Sequence, residues 1–369
     1  MTLEQEITIR HIRTLKEFAA LKESWTLLLE SRKHKTAFLT WEWMHSWLKN
    51  HAEAGTLWIV TAWCGNELIG VAPLMLVSSN RMGLKSRILR SIGKPNTDES
   101  DVITSGNPEE IIPLLFGYIH ANRNEWDAIE LCELNSEENN TAIILREMQN
   151  LKLKVTSSTN SHFHIQTTDN WDEYWHSLSK NTRDSVKKRL KHAEKNLNLE
   201  FHYIKGSLLN WGHFEAIFDI NQRSRFPEKY SSAQERAHLR DLFEAMQSKG
   251  WLEVIMLYMD GKPVAYDYGF NMDGKFEDWR TGYDLQYSGS AAGKLLLYLM
   301  LKYQFENGYK DFDFLRGAYE YKTQWNPKDR EYLNIIAVKP KHLQSRLALI
   351  TLPKMWHWFK RTLLKRTPA

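Results

Sequence analysis

The apolar positions of this chain switch repeatedly between a helical period and strict alternation, and the switches fall in an order that occurs twice. Residues 7–9 read as a short strand, residues 14–31 as a helix, and Thr40 as the N-cap of a second helix. β-Branched and aromatic runs then mark strands in LWIVTAWC from Leu57, in ELIGVAPLMLV from Glu67 and, more weakly, at residues 87–92. Gly65-Asn66 is the first hairpin turn. Asn107-Pro108 opens a helix, WDAIELCEL from Trp126 is a strand, residues 140–151 are helical, and two short strands end near residues 165–167.

The second half repeats this order after a basic helix at residues 179–195. LEFHYIK is a strand, residues 211–225 and 232–249 are helices, and WLEVIMLYMD, KPVAYDYGFNM and KFEDWRTGYD alternate around the turns Asp260-Gly261-Lys262 and Asp273-Gly274. Such turn dipeptides between alternating runs predict an antiparallel meander. QYSGSAAG then leads into the apolar helix AGKLLLYLMLKYQFENG, stopped at Gly308, and DFDFL and YLNIIAVKP close the sheet. The repeat predicts an α/β fold with mixed sheets in two tandem halves, residues 1–168 and 169–340, followed by a tail at 341–369.

Length supports two domains, since single cores stop growing near about 250 residues and this chain has 369. A 42% hydrophobic and 25% charged composition belongs to a globular protein. The 15 Trp residues exceed the usual share, and part of their surface is expected to line a groove. Cys64 and Cys132 lie in apolar, strand-like runs, and the His residues are scattered, so neither a disulfide framework nor a metal site is expected. With no leader pattern and no run of about 18 apolar residues, a cytoplasmic location is expected.

The formal charge of +4 is local. Lys180, Arg183, Lys187, Lys188, Arg189 and Lys191 form either a solvated helix face or a positive rim for an anionic acceptor. In the tail, Met355, Trp356, Trp358, Phe359, Leu363 and Leu364 stand among Lys354, Lys360, Arg361, Lys365 and Arg366. That pattern suits peripheral contact with the inner face of a membrane, or a terminal helix docked on its own domain. Neither basic segment is the sustained basic face of a dedicated nucleic-acid binder.

The candidate chemistry centres on Gln286-Tyr-Ser-Gly289-Ser-Ala291, between a strand and the apolar helix. Backbone N–H groups at a glycine loop, with a helix N-terminus behind them, favour an anion such as a pyrophosphate. An ordinary small-residue turn before a core helix fits the same letters. In the first half the equivalent stretch, DVITSGNPEE, offers Glu109, Glu110 and the donor-less Pro108, which oppose an anion.

The loop resembles the Q/R-x-x-G-x-G/A acyl-CoA loop of the GNAT superfamily through Gln286, Gly289 and Ala291. Over roughly residues 10–340 the chain is similar to the GNAT branch named after the cellulose-biosynthesis protein CelD, itself similar to the FemAB peptidyltransferases. The likeness is carried by AFLTWEWMHSWL, GVAPLML, LRSIG, SLSKNTRDSVKKRLKHAEK and DFDFLRGAYEYKTQW. It implies two tandem GNAT-like halves, the first degenerate, the second taking acetyl-CoA or a longer acyl-CoA as co-substrate at Gln286, Ser288, Gly289, Ser290, Ala291, Gly293 and Lys294. It further implies an N- or O-acyltransferase acting on a small-molecule or glycan-precursor acceptor of the cell envelope, such as an amino sugar. Two alternatives stay open: a FemAB-like transferase using aminoacyl-tRNA, and a non-catalytic GNAT-derived scaffold in exopolysaccharide synthesis.

Acyl transfer needs a base, oxyanion donors and a proton for the leaving thiolate. The acid–base groups near the loop are Asp267, Asp278, Tyr283, Asp284 and Asp313. Strand alternation sets Asp311 and Asp313 on the face opposite Phe312 and Phe314, so Asp313 is the first candidate for a base with a raised pKa, or else an ion-pair partner of Arg316. Arg316, Tyr321 and Lys322 follow on a loop. Tyr321 is a candidate proton donor. Arg316, Lys322, Trp325, Arg183 and Asp284 are the candidates for meeting substrate.

Overall fold

The computed structural model describes residues 6–352 other than 169, 231 and 318; the amphipathic tail from Lys354 onward lies outside the described residues. The chain forms two compact units, one of residues 1–34, 38–160 and 331 onward, the other of residues 35–37 and 161–330.

The first unit runs β1 (Ile7–Ile12), α1 (Leu15–Ala19), α2 (Lys22–Glu30), α3 (Trp41–Asn50), β2 (Thr56–Leu57), β3 (Ile59–Cys64), β4 (Glu67–Ala72), β5 (Leu74–Arg81) and β6 (Leu84–Ser91). It continues with β7 (Ile103–Thr104), α4 (Pro108–Ala121), β8 (Ala128–Asn135), α5 (Asn139–Asn150) and the start of β9 (Lys154–Gln166). The second unit takes the end of β9, then α6 (Trp171–Ser177), α7 (Lys180–Asn196), β10 (Glu200–Lys205), α8 (Trp211–Gln222) and α9 (Ala233–Met246). β11 (Leu252–Met259), β12 (Lys262–Met272), β13 (Lys275–Tyr283), α10 (Ala292–Glu306), β14 (Asp311–Arg316) and α11 (Glu320–Thr323) follow. β15 (Lys328–Val338) begins in the second unit and, with α12 (Leu343–Arg346), completes the first.

Thr40 caps α3 by accepting from the Trp43 amide, as expected, and Thr14 closes a capping box with Glu17. Three expectations change. The helix at 14–31 is two helices, because the chain turns at Ala20 and Leu21. The run from Glu67 is two strands: Pro73, which has no N–H to give a ladder, separates β4 from β5, and the two lie in different sheets. The two short strands expected before residue 167 are one 13-residue strand, β9. The contact division also departs from a single boundary near 168, because the end of β9 pairs with β14 and β15 pairs with β8.

Pairing repeats between the units. In the second, β10, β11, β12 and β13 are antiparallel neighbours, α10 crosses over, and β14 returns parallel to β13. In the first, β1, β3 and β4, then β5 and β6, are antiparallel neighbours, α4 crosses over, and β8 returns parallel to β6. Each unit buries its own apolar cluster: Ile112, Leu115, Trp126 and Ile144 belong to the first, Ile255, Leu295, Met300 and Phe312 to the second.

The parallel pair of the second unit is short. β13 and β14 are in register only at Lys275–Asp311, Phe276–Phe312 and Glu277–Asp313, after which both strands bulge. In β13, Tyr268 faces Arg280 and Phe270 faces Glu277, so Gly269 alone stands opposite Asp278 and Trp279. In β14, Phe163 alone stands opposite Phe314 and Leu315, and Leu315 takes a left-handed φ of 56°. Bulges at one level on both strands increase twist, and the β13–β14 ladder ends at Glu277–Asp313.

Gly269 allows the first bulge: an ideal Cβ there would lie 2.0 Å from the Glu277 carbonyl oxygen. A Gly269→Ala variant is expected to lose about 2 kcal/mol or more of stability, read as a lower urea midpoint. A midpoint equal to wild type would show that the bulge tolerates a side chain.

Candidate active site at the parting of two strands

The candidate site lies where the β13–β14 ladder ends, next to the first turn of α10, which packs on Tyr283 through Gly293. β13 ends at Tyr283, Asp284 follows, and residues 285–290 make a short 3₁₀ turn. Asp284 organises that turn: its Oδ1 accepts from the Gln286 amide (2.9 Å), and its Oδ2 is bound by the Arg223 guanidinium from the end of α8. Asp284 is therefore a buried cap rather than a surface ligand. Gln286, Ser288 and Gly289 are exposed, and Ser290, Ala291, Gly293 and Lys294 half-buried.

The left-handed residue of the loop is Ala291, with φ of 58°, rather than Gly289. Ala291 stands at the N-cap of α10, where no side chain caps the helix and no acid occupies the first turn. The first amides of a helix have no intrahelical acceptor; Ala292 is buried, and those of half-buried Gly293 and Lys294 are available to an anion. Gly293 is required by packing, since a Cβ there would approach the Tyr283 ring at 3.1 Å, while a Cβ at Gly289 would meet nothing within 4 Å.

A second group gathers at the bulge. Asp278 lies in the bulge, Asp267 on β12 faces Thr281 across the ladder, and both are buried. Tyr321, on α11, keeps 42% of its side chain exposed. Its phenol is nonetheless pushed above the ordinary tyrosine range, first by burial and then by the carboxylates of Asp278 and Asp267. A phenol so shifted stays protonated at neutral pH.

The other expected residues serve the framework. Asp313 is fully buried and pairs with Arg330 (3.3 Å), not with Arg316, and its Oδ1 accepts from the Leu315 amide (2.8 Å). The bulge at Phe314 and Leu315 intervenes before Arg316, which sits half-buried at the end of β14 opposite His162. Asp311 does share the face of Asp313, close to Arg330 and 2.9 Å from His164.

Lys322, expected at a substrate, is buried with its ammonium donating to the carbonyls of Phe314 (2.8 Å), Arg316 (3.0 Å) and Leu315 (3.4 Å). It satisfies the carbonyls that the bulge removes from the ladder. Trp325 is a core side chain 1% exposed, and Arg183 donates to the His176 carbonyl beside the start of α7. Arg330 and Arg223 carry no local sequence signal, because their partners lie 17 and 61 residues away.

The first unit parts its strands in the same place and refills the gap. β6 and β8 are in register from Ile88–Ala128 to Arg90–Glu130, and β8 then bulges at Cys132 and Glu133, the latter with φ of 50°. Beyond that point the buried stretch Thr97 to Asp101 enters: the Ser100 amide donates to the Glu133 carbonyl (2.9 Å), and its hydroxyl lies 3.1 Å from that of Ser91. Arg32 holds Asp101 (2.7 Å), and His34 and Tyr332 hold Glu99. α4 is also closed to anions, because the Asn107 side chain accepts from the Glu109 amide and Pro108, Glu109 and Glu110 fill its first turn.

Comparison with known proteins places this geometry. Residues 180–323 match the family described as the acetyltransferase (GNAT) domain. No curated protein matches the sequence. Among solved structures, FemX superposes with a TM-score of 0.56 at 11% identity, over 88% of this chain and 96% of that one. The C-terminal domain of a putative lysylphosphatidylglycerol synthetase from Agrobacterium fabrum gives 0.55 at 11% identity, over 89% and 95%. L-PGS from Bacillus licheniformis gives 0.54 at 10%, over 89% and 95%. At such identity the likeness is one of fold: a mixed α/β, GNAT-type architecture. No helix among the described residues is long and apolar enough to cross a membrane.

Replacing Lys322 by Met leaves three carbonyls without their donor, and a cost of about 2–3 kcal/mol is expected. Equilibrium unfolding in urea measures it; stability within about 0.5 kcal/mol of wild type would return Lys322 to the list of surface ligands.

Proposed function

We propose that the chain is an acyl-CoA-dependent acyltransferase whose single acyl-CoA site lies in the second unit, at the parting of β13 and β14. The observation that carries this reading is the join of that open parting to a helix N-terminus with no cap and no acid. The match of residues 180–323 to the acetyltransferase family supports it. The residues fit the group: the amides of Gly293 and Lys294 would hold the pyrophosphate, and the edge of β13 beyond Glu277, unpaired with β14, would accept the amides of an extended arm. When bound, the co-substrate supplies an activated thioester.

Asp278 takes the role of base that the sequence assigned to Asp313, because Asp278 stands in the bulge while Asp313 is neutralised by Arg330. Tyr321 gives its proton to the leaving thiolate. The acceptor is an amine or hydroxyl of a cell-envelope precursor, with an amino sugar as the class suggested by the CelD-like resemblance. The first unit, its gap refilled, supports the fold or shapes acceptor binding.

A second reading is an aminoacyl-tRNA-dependent transfer, favoured by the fold shared with FemX. CoA dependence separates the two.

Titration calorimetry with acetyl-CoA and longer acyl-CoAs tests the reading. Binding in the micromolar range is expected, weakened at least tenfold by Gly289→Trp, which the open space at Gly289 lets fold normally. No binding of any acyl-CoA by wild type would shift the reading to aminoacyl-tRNA. With an acceptor in hand, Tyr321→Phe is expected to lower kcat by about 100-fold with little change in KM for acyl-CoA. Because the Tyr321 pKa is raised above its ordinary value of about 10, the donor form persists below that pH, so the ratio of wild-type to variant kcat should be flat from about pH 6 to 9.

A further inference from the structure

α7 packs beside the loop, and from it the Arg189 guanidinium donates to the carbonyl oxygen of Gly289. Its basic neighbours Lys187, Lys188 and Lys191 point elsewhere on the helix, because Arg189 flanks the buried stripe of Thr182, Val186 and Ala193 while they do not. The position of the bond in the chain matters more than its strength. If the 3₁₀ turn wound on into α10, the Gly289 carbonyl would accept from the amide of Ala292 or Gly293, three or four residues on. Those are the amides that an anion would use. With that carbonyl held by Arg189 and Ala291 turned left-handed, the helix starts afresh at Ala292 with its first amides unspent.

We propose that Arg189 is a positioning residue for the acyl-CoA phosphates: it holds the Gly289 carbonyl away from the first turn of α10 and thereby keeps the loop and the helix as two elements. The inference rests on the acyl-CoA reading for its ligand, but the loop geometry stands apart from it. Left-handed Ala291 costs on the order of 1 kcal/mol relative to a right-handed alternative, so the break needs an external hold. Arg189 supplies the hold from an element outside the loop, and its positive charge remains beside the phosphate position. A lysine at 189 retains a donor and a charge and should serve in part.

The experiment joins two readouts on Arg189→Ala and Arg189→Lys. In the unliganded protein, amide hydrogen exchange at Ala292, Gly293 and Lys294 is expected to slow in the Ala variant as the turn winds into the helix, and to stay near wild type in the Lys variant. In titrations with acetyl-CoA, the Ala variant is expected to bind at least tenfold more weakly, with the Lys variant between the two. Exchange at these amides unchanged or faster in Arg189→Ala, or acetyl-CoA affinity equal to wild type, would overturn the proposal. If wild type itself binds no acetyl-CoA, the acyl-CoA reading falls, and with it the role in binding phosphates, while the exchange measurement still decides whether Arg189 holds the loop open.

Discussion

The structure of the second unit depends on stopping a parallel β-ladder after three residue pairs. Parallel strands in a buried sheet gain by continuing to pair, and each buried carbonyl left without a donor costs about 1–3 kcal/mol. β13 and β14 stop because each has one extra residue at the same level, and each extra residue has its own support. Gly269 makes room beside the Glu277 carbonyl. Asp313 accepts from the amide of left-handed Leu315, and Lys322 takes up the carbonyls of Phe314, Leu315 and Arg316. Arg330 then balances Asp313, so a buried carboxylate and a buried ammonium are both compensated.

The two units solve this problem alike and use the result differently. Both carry a crossover helix, a parallel return strand and a bulge with a left-handed residue, Glu133 in one and Leu315 in the other. In the first unit the opening admits Thr97 to Asp101 of its own chain, and the helix that follows spends its first turn on Asn107, Pro108 and two glutamates. In the second the corresponding stretch is a six-residue turn with no buried residue, and nothing acidic stands at the helix start. Sequence alone exposed the second of these differences, through Pro108, Glu109 and Glu110, because it is a matter of residue type at a helix terminus. The refilled gap was not legible, since Ser100 meets Ser91, Cys132 and Glu133 only through the tertiary fold.

The same division runs through the whole reading. The meander, the crossover helix and the caps at Thr40 and Asn107 were legible, because turn dipeptides, apolar period and capping side chains act over a few residues. Pro73 was visible as a letter, but its consequence, a strand that changes sheet, depends on what each half pairs with. The loop at Gln286 to Ala291 was found by its small residues, yet the residue that bends it is Ala291. Asp313 looked like chemistry because strand alternation set it among aromatic residues, and Lys322 because it follows the strand on a loop. Their partners, three carbonyls and Arg330, exist only once a bulge has formed, and no spacing rule announces a bulge of this kind.

Withdrawing Asp313 from catalysis narrows the acid–base problem on the proposed reading. Asp313 accepts from the Arg330 guanidinium and the Leu315 amide, so its lone pairs are committed and it is a poor acceptor for a substrate proton. On that reading the base is sought among the other carboxylates at the bulge, and Asp278 stands in it. Tyr321 differs in environment: its own burial and then the nearby carboxylates favour the neutral phenol. A proton donor for the thiolate and an acceptor for the proton of the attacking group are what transfer from a thioester requires. On the proposed reading an amine acceptor that arrives as an ammonium gains from a carboxylate in the bulge before its proton is lost, and a neutral hydroxyl does not.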